Sequence, residues 1–214
     1  MVRLRVHNFT LSLDGYAAGP GQRAEQPLGQ GGFALHEWIF QTAGFRSLQG
    51  EDGGDTGLND ELFRARTEDV GATIMGRNMF GPLRGPWEDE SWRGWWGEDP
   101  PFRHDVFVLT HHPRSDLAMR NGTTFHFIEA QPHEALAQAT KAAGGQDVVL
   151  GGGASTTRQF LTAGLVDALH LVIAPVLLGS GERLFDSTQQ LLPQYSCAPL
   201  RCEAGVGHVH LTRI

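Results

Sequence analysis

DVVLGGGASTTRQFLTAGLVDALHLVIAPVLLGSGERLF, residues 147–185, decides the fold. Asp147 to Leu150 is a short β-branched run, followed at once by Gly151, Gly152 and Gly153. An amphipathic segment then runs from about Ser155 to Leu161. Strand, triple glycine, helix is an arrangement that brings backbone N–H groups and a helix N-terminus up to a phosphate. Glycine suits it because a β-carbon blocks close approach of backbone to ligand. A plain tight turn is the competing reading. Ser155, Thr156 and Thr157 weigh against it, since their hydroxyls fall on the first helical turn, where they cap N–H groups or donate to phosphate oxygens.

A Rossmann dinucleotide fold does not follow. That fingerprint wants G-x-G-x-x-G after the first strand and an acid about 20 positions on. Here Thr156 stands where the third glycine belongs, the motif falls late in the chain, and Asp167 precedes the next strand. Upstream, in GATIMGRNMF (71–80), Ala72–Met75 reads as a buried strand and Gly76-Arg77-Asn78 meets the next helix. An arginine at a strand's carboxyl end holds a phosphate by its guanidinium fork, or else pairs with a surface carboxylate. Asp105–Leu109 is a further strand, ending in Thr110-His111-His112-Pro113. In open α/β sheets ligands gather at such carboxyl ends.

The remaining elements alternate. Arg3–Leu11 reads as a strand and 57–68 as a helix, with Leu58, Leu62 and Ala65 on one face. Strands follow at 72–75, 105–109, 123–128, 147–150 and 168–178. Pro132–Ala143 is a helix, with proline in its first turn and Gly144 as its stop. Strands interleaved with helices indicate a doubly wound, mostly parallel sheet. Leu200–Glu203 and Val206–Arg213 read as a hairpin that adds an antiparallel edge.

Ser12-Leu13-Asp14-Gly15, Met75-Gly76-Arg77, Val108 to Pro113, the triple glycine with its helix, and Leu169–Leu178 with Gly179-Ser180-Gly181 occur in that order. In that combination the chain resembles the dihydrofolate-reductase-like superfamily. It is closest to the reductase domain of the bifunctional riboflavin-biosynthesis deaminase-reductase and its stand-alone relatives, over about Val2 to Ile214. The resemblance implies NADPH held across the carboxyl edge of the sheet. It would place Gly76, Arg77 and Asn78 at the 2′-phosphate, and Leu109, Thr110 and His111 along the adenine half. Gly151, Gly152, Gly153, Ala154, Ser155 and Thr156 would cradle the pyrophosphate, and Thr10, Ala18 and Gly19 would lie near the nicotinamide. It further implies a homodimer. Ungapped alignment back from Met75-Gly76-Arg77 puts Asp60 at the family's proton-donating carboxylate. Asp60 also reads as a first-turn acid that complements a helix dipole, and charged Arg64, Arg66 and Glu68 on the same helix favour that plainer reading.

Composition agrees with one enzyme domain over 1–214. The chain has 214 residues, 19% charged and 40% hydrophobic, within the globular range. A net charge of −7 argues against nucleic acid or an anionic membrane as partner. No apolar run approaches the ~20 residues of a membrane span, and no secretory leader is evident, so a cytoplasmic protein is expected. Cys197 and Cys202 read as free thiols rather than a disulfide. His208-x-His210 and His111-His112 make poor metal sites, so no metal is expected. Residues 19–57 form a glycine-rich insertion, with a short helix expected at Phe33–Phe40. A second insertion, 82–101, holds Trp87, Trp92, Trp95 and Trp96. A lid or subunit interface is the favoured reading of those indoles over packing on the loop's own base. The functional expectation is an NADPH-dependent reductase of a small heteroaromatic, imine or carbonyl substrate. The alternative is a nucleotide-binding or regulatory protein that keeps the cofactor fold without turnover.

Overall fold

The computed structural model describes residues 1–82, 85–87, 90–185 and 192–214. In chain order the elements begin with β1 (Leu4–Ser12), β2 (Tyr16–Ala18), α1 (Glu37–Phe40), α2 (Ala43–Leu48), α3 (Leu58–Ala65) and β3 (Val70–Gly76). Next come α4 (Arg77–Phe80), β4 (Asp105–Leu109), β5 (Leu117–Ala118), β6 (Thr124–Ile128), α5 (Pro132–Ala142) and β7 (Asp147–Leu150). The chain closes with α6 (Ala154–Thr162), β8 (Ala168–Ala174), β9 (Glu182–Arg183), β10 (Tyr195–Cys197), β11 (Arg201–Glu203) and β12 (Val206–Arg213). The fold is α/β, with a mostly parallel sheet and antiparallel strands at the C-terminus. Among the described residues no helix is long and apolar enough to cross a membrane.

The chain forms two compact units. The first comprises Met1–Val6, Arg23–Glu25 and Asp69–Asp167. Its strands run in the order β1, β7, β3, β4, β6, β5, parallel except for β5. Such interior strands need apolar side chains on both faces, and β3 and β4 supply them. Asp147 sets the register at the start of β7. It is buried, accepts from the Arg3 backbone and guanidinium, and pairs with Arg5 at 3.1 Å. Helix α5 starts at Pro132 with a reciprocal capping box between Gln131 and Glu134, and buries Ala135 and Ala139. Where its end meets β3, a β-carbon on Gly71 would overlap the Ala143 carbonyl oxygen.

The tryptophan insertion packs on its own base, as the second of the two sequence readings has it. Trp87, Trp92 and Trp96 pack on the core of Met75, Phe80, Val106, Val108, Phe125 and Phe127 beneath the loop. Trp92 Nε1 donates to the Phe80 carbonyl at 3.1 Å.

The second unit comprises His7–Gln22, Gln26–Glu68 and Ala168–Ile214, with strands in the order β10, β12, β8, β1. Strand β12 is antiparallel to β8 from Gly207↔Ile173 to Thr212↔Ala168. Strand β8 stops at Ala174, short of the expected 178, because Pro175 has no N–H to continue a ladder. The expected helix at Phe33–Phe40 is a 3₁₀ turn, Gly32–His36, running into α1. Helix α3 opens at Gly57, which has no capping side chain, and Glu203 of β11 caps it from afar by accepting the Asn59 N–H at 2.7 Å. A β-carbon on Gly57 would overlap that carboxylate.

Candidate functional site

The first unit carries a cleft of about 390 Å³ at the carboxyl ends of β3 and β4. Gly76, Arg77 and Asn78 line it after β3, Leu109 to His112 after β4, Glu129 to Gln131 after β6, and Thr156 and Gln159 from α6. The glycine turn holds this edge together. Gly151 N donates to Ile74 O at 2.8 Å and Gly76 N to Gly152 O at 2.9 Å. A β-carbon on Gly76 would overlap Thr156 Oγ1, so glycine is needed at that position. Gly152 has φ +117°, outside the range that side chains favour. Helix α6 begins after Gly153 with no side-chain cap, so its first-turn N–H groups stand ready for an anion.

Arg77 is the cation of the cleft. Its Nη1 donates to Gly85 O and to Thr110 Oγ1, both at 3.1 Å. The guanidinium lies 3.3 Å from the centroid of the Trp87 ring, and Arg114 lies 4.2 Å from the same ring. Trp87 is itself anchored, donating from Nε1 to His112 O at 2.6 Å. Burial, and then the positive charge of Arg114, lower the Arg77 pKa from its ordinary value. Its Nε and Nη2 are buried without a hydrogen-bond partner, and no carboxylate among the described residues pairs with it. Two unfilled guanidinium donors beside an uncapped helix fit a phosphorylated nucleotide.

Of the residues expected at a cofactor, Gly76, Arg77, Asn78, Leu109, Thr110, His111 and Thr156 come together around this cleft. Gly151, Gly152 and Gly153 form the turn before α6, Ala154 and Ser155 open that helix, and none of the five lines the cleft. Sequence reading did not assign Gly85, Glu129, Ala130, Gln131, Glu134 and Gln159, and His112 lay in the motif after β4 without being given to the cofactor. Glu129 faces His111 at 3.3 Å, and Glu134 is occupied in the α5 cap.

The other expected residues belong to the second unit. Thr10 is buried and accepts from Trp38 Nε1 at 3.3 Å. Ala18 is buried, and Gly19 is required where a β-carbon would overlap the Gln30 carbonyl oxygen. Asp60 is 5% exposed, and both of its oxygens are engaged: Oδ1 accepts from Gly44 N at 2.5 Å and Oδ2 from Arg64 Nε at 2.8 Å. This carboxylate pins α2 to α3. Glu88 and Asp89, two acids of the tryptophan insertion, lie outside the described residues, and Glu90 is exposed.

A buried histidine cluster, unforeseen in the sequence, also lies in the second unit. His170 Nε2 and His208 Nδ1 are 3.1 Å apart, His208 Nε2 is 2.8 Å from Asn59 Oδ1, and His210 stacks on His170 at 4.1 Å. Among the described residues no group of histidine, cysteine and acid side chains is placed to hold a metal.

Solved structures share this fold at low identity. A putative riboflavin biosynthesis protein from Shewanella sp. PV-4 superposes with a TM-score of 0.61 at 19% identity, covering 100% of this chain and 99% of that one. Dihydrofolate reductase from Enterococcus faecalis, complexed with NADP(H) and RAB-propyl, gives 0.54 at 13% identity over 99% and 96%. The diaminohydroxyphosphoribosylaminopyrimidine deaminase/5-amino-6-(5-phosphoribosylamino)uracil reductase of Thermotoga maritima gives 0.58 at 11%, with this chain covering 57% of it. The fold is therefore dihydrofolate-reductase-like. The RibD C-terminal domain profile matches residues 5–205, and the chain belongs to that family. A curated relative, the Bacillus subtilis protein YyaP, is 33% identical over 97 residues, a match that spans 44% of this chain and 51% of YyaP.

Proposed function

We propose that the protein is an NADPH-dependent reductase of a small heteroaromatic, imine or carbonyl substrate. The observation that carries this reading is Arg77, a half-buried guanidinium at the carboxyl edge of β3 with two unpartnered donors and no carboxylate partner among the described residues. Arg77 would hold the 2′-phosphate, the α6 N-terminus and Thr156 the pyrophosphate, and Leu109 to His111 the adenine half. Thr10, Ala18 and Gly19 are proposed near the nicotinamide. When bound, the nicotinamide supplies the hydride. The chain's own residues orient the cofactor and keep water from it, and Asp60, which also holds Gly44 and Arg64, is the carboxylate proposed to supply the proton. The expected homodimer and single folding domain belong to the same proposal.

The engaged carboxylate of Asp60 favours one alternative, a nucleotide-binding protein without turnover. Titration of nicotinamide fluorescence tests the cofactor, and loss of nicotinamide absorbance over a substrate panel tests turnover. Wild type should prefer NADPH to NADH, and Arg77→Ala should shrink that preference about tenfold or more, since a charge-assisted contact is worth ~1.5–3 kcal/mol. Equal affinity of the wild type for both cofactors overturns the assignment.

A further inference from the structure

A closed circuit of contacts within the first unit holds Arg77. Its Nη1 donates to Thr110 Oγ1 at 3.1 Å, and that oxygen also accepts from His112 N at 3.1 Å. The His112 carbonyl accepts from Trp87 Nε1 at 2.6 Å, and the Trp87 ring closes the circuit, its centroid 3.3 Å from the Arg77 guanidinium carbon. Gly85, two residues before Trp87, takes a second bond from Nη1. The loop after β4 and the tryptophan insertion therefore grip one arginine from two separate stretches of chain.

The grip is selective. It uses Nη1 and a face of the guanidinium, and it leaves Nε and Nη2 buried without a partner. Those two N–H groups share one edge of the planar group, so one complete two-pronged fork is unspent. A mobile arginine loses rotamer freedom when it presents that fork, and one held by Nη1 and by its face has lost it already. Buried donors left empty are costly, and an anion brought to that edge removes the cost.

Trp87 is well placed to do the holding. Its ring meets Phe80 edge-on at 6.1 Å and Phe127 at 5.3 Å, and it packs on the core beneath the insertion. It does not line the cleft, so whatever it does for a ligand it does through Arg77. Arg114, 4.2 Å from the same ring, makes the contrast: its Nη1 and Nη2 are spent on the Glu90 and Trp92 carbonyls. Packing accounts for an indole at this place. An arginine stacked on it with one edge kept open is what an anion site needs.

We propose that Trp87 is a positioning residue, holding Arg77 so that its Nε–Nη2 edge meets two oxygens of a terminal phosphomonoester, and that it thereby sets the preference for a phosphorylated dinucleotide. The inference rests on the reductase reading above, whose 2′-phosphate is the anion in question. Calorimetric titration of the full chain with NADPH and with NADH gives that preference as a ratio of affinities. Trp87→Leu removes the π face and keeps an apolar filler. It should cut the ratio about fivefold or more through weaker NADPH binding, with NADH affinity kept within about twofold. Trp87→Phe keeps a ring face and loses the bond to His112, and should retain at least about half of the ratio. Arg77→Lys keeps the charge without the fork and should lose most of it.

An unchanged ratio in Trp87→Leu, equal losses in Trp87→Leu and Trp87→Phe, or NADH weakened as much as NADPH would reduce the indole to packing and overturn the positioning role. A wild-type ratio in Arg77→Lys would overturn the fork. Side-chain ¹⁵N NMR of the wild type decides the matter even where Trp87→Leu does not fold. The Arg77 Nε–H proton, assigned by its loss in Arg77→Lys, should lie upfield under the indole ring current. It should move downfield with NADPH and not with NADH, because a bond to phosphate deshields it. An ordinary arginine resonance, or equal response to both dinucleotides, overturns the proposal. A wild type that does not prefer NADPH overturns the reductase reading and this inference with it, whereas a preference that survives Trp87→Leu overturns the inference alone.

Discussion

Acidification should destabilise this protein well before its carboxylates protonate. His170 and His208 have pKa values held at about 2 and about 4 in the folded state, against an ordinary 6.5. A depressed histidine pKa means that the unfolded chain binds protons the folded chain refuses. Stability is therefore full above about 6.5 and falls as pH drops toward the folded values. Each histidine removes about 1.4 kcal/mol per pH unit in that window. Two units, from about pH 6.5 to 4.5, make ~5 kcal/mol for the pair as a ceiling. The rings are in contact and do not titrate independently, so about 3–5 kcal/mol is expected, a large share of the ~5–15 kcal/mol typical of folded domains. Carboxylates do not confuse this window. The Ser12 hydroxyl holds exposed Asp14 at about 2, and for Asp147 burial's upward push is outweighed by Arg3 and Arg5, so both act only below the ordinary 3.8. His36, His104 and His210, lowered chiefly by burial, steepen the same slope. Urea unfolding across pH measures proton uptake as the slope of stability. Wild type should take up about two protons or more near pH 5, and a His170→Gln/His208→Gln variant about two fewer. A wild-type stability that changes by less than about 1 kcal/mol between pH 6.5 and 4.5 would refute the neutral, buried pair.

Two further outcomes bear on the proposed site. Gly76→Ala should push Thr156 aside and weaken NADPH about tenfold or more, with partial recovery in Gly76→Ala/Thr156→Ala; unchanged affinity in the single variant would make the turn only a turn. Asp60→Asn keeps an acceptor for Gly44 and loses a half-exposed ion pair, so it should cost under about 1 kcal/mol in a thermal melt. Its turnover should fall by ~10²–10⁴ at unchanged NADPH affinity, and turnover near the wild-type rate would leave Asp60 a brace and no proton donor.

Local patterns were legible in the sequence. Asp147–Leu150, the glycine turn and helix α6 follow from a β-branched run, residues without side chains and a hydroxyl-rich first turn. Helix α5 follows from Pro132, spaced alanines and the Gly144 stop. What depends on distance in the chain was not legible. Asn59 and His208 are 149 positions apart, and no period links them. The histidines of β12 are separated by one residue, which on a strand suggests a shared face and draws attention to metals. Their actual partners come from β8 and α3. The tryptophans misled for a similar reason. An indole in an insertion looks exposed until the guanidiniums that cover it, Arg77 and Arg114, are known to arrive from other elements.

The two unsatisfied places in the structure ask for different chemistry. Around Arg77 the missing partner is an anion, since a guanidinium with two buried, unfilled donors is stabilised most by a phosphate or carboxylate. Around Asn8 it is a neutral hydrogen-bonding group, since the carboxamide oxygen and nitrogen are both buried without a partner and carry no charge to attract an ion. A protein that only sequesters a nucleotide needs the first place and gains nothing from the second. A polar seam inside the second unit that costs stability at neutral pH and more in acid is hard to explain as packing, because apolar side chains of the same size would fill the space at lower cost. Its retention points to a use of the second unit that packing alone does not supply.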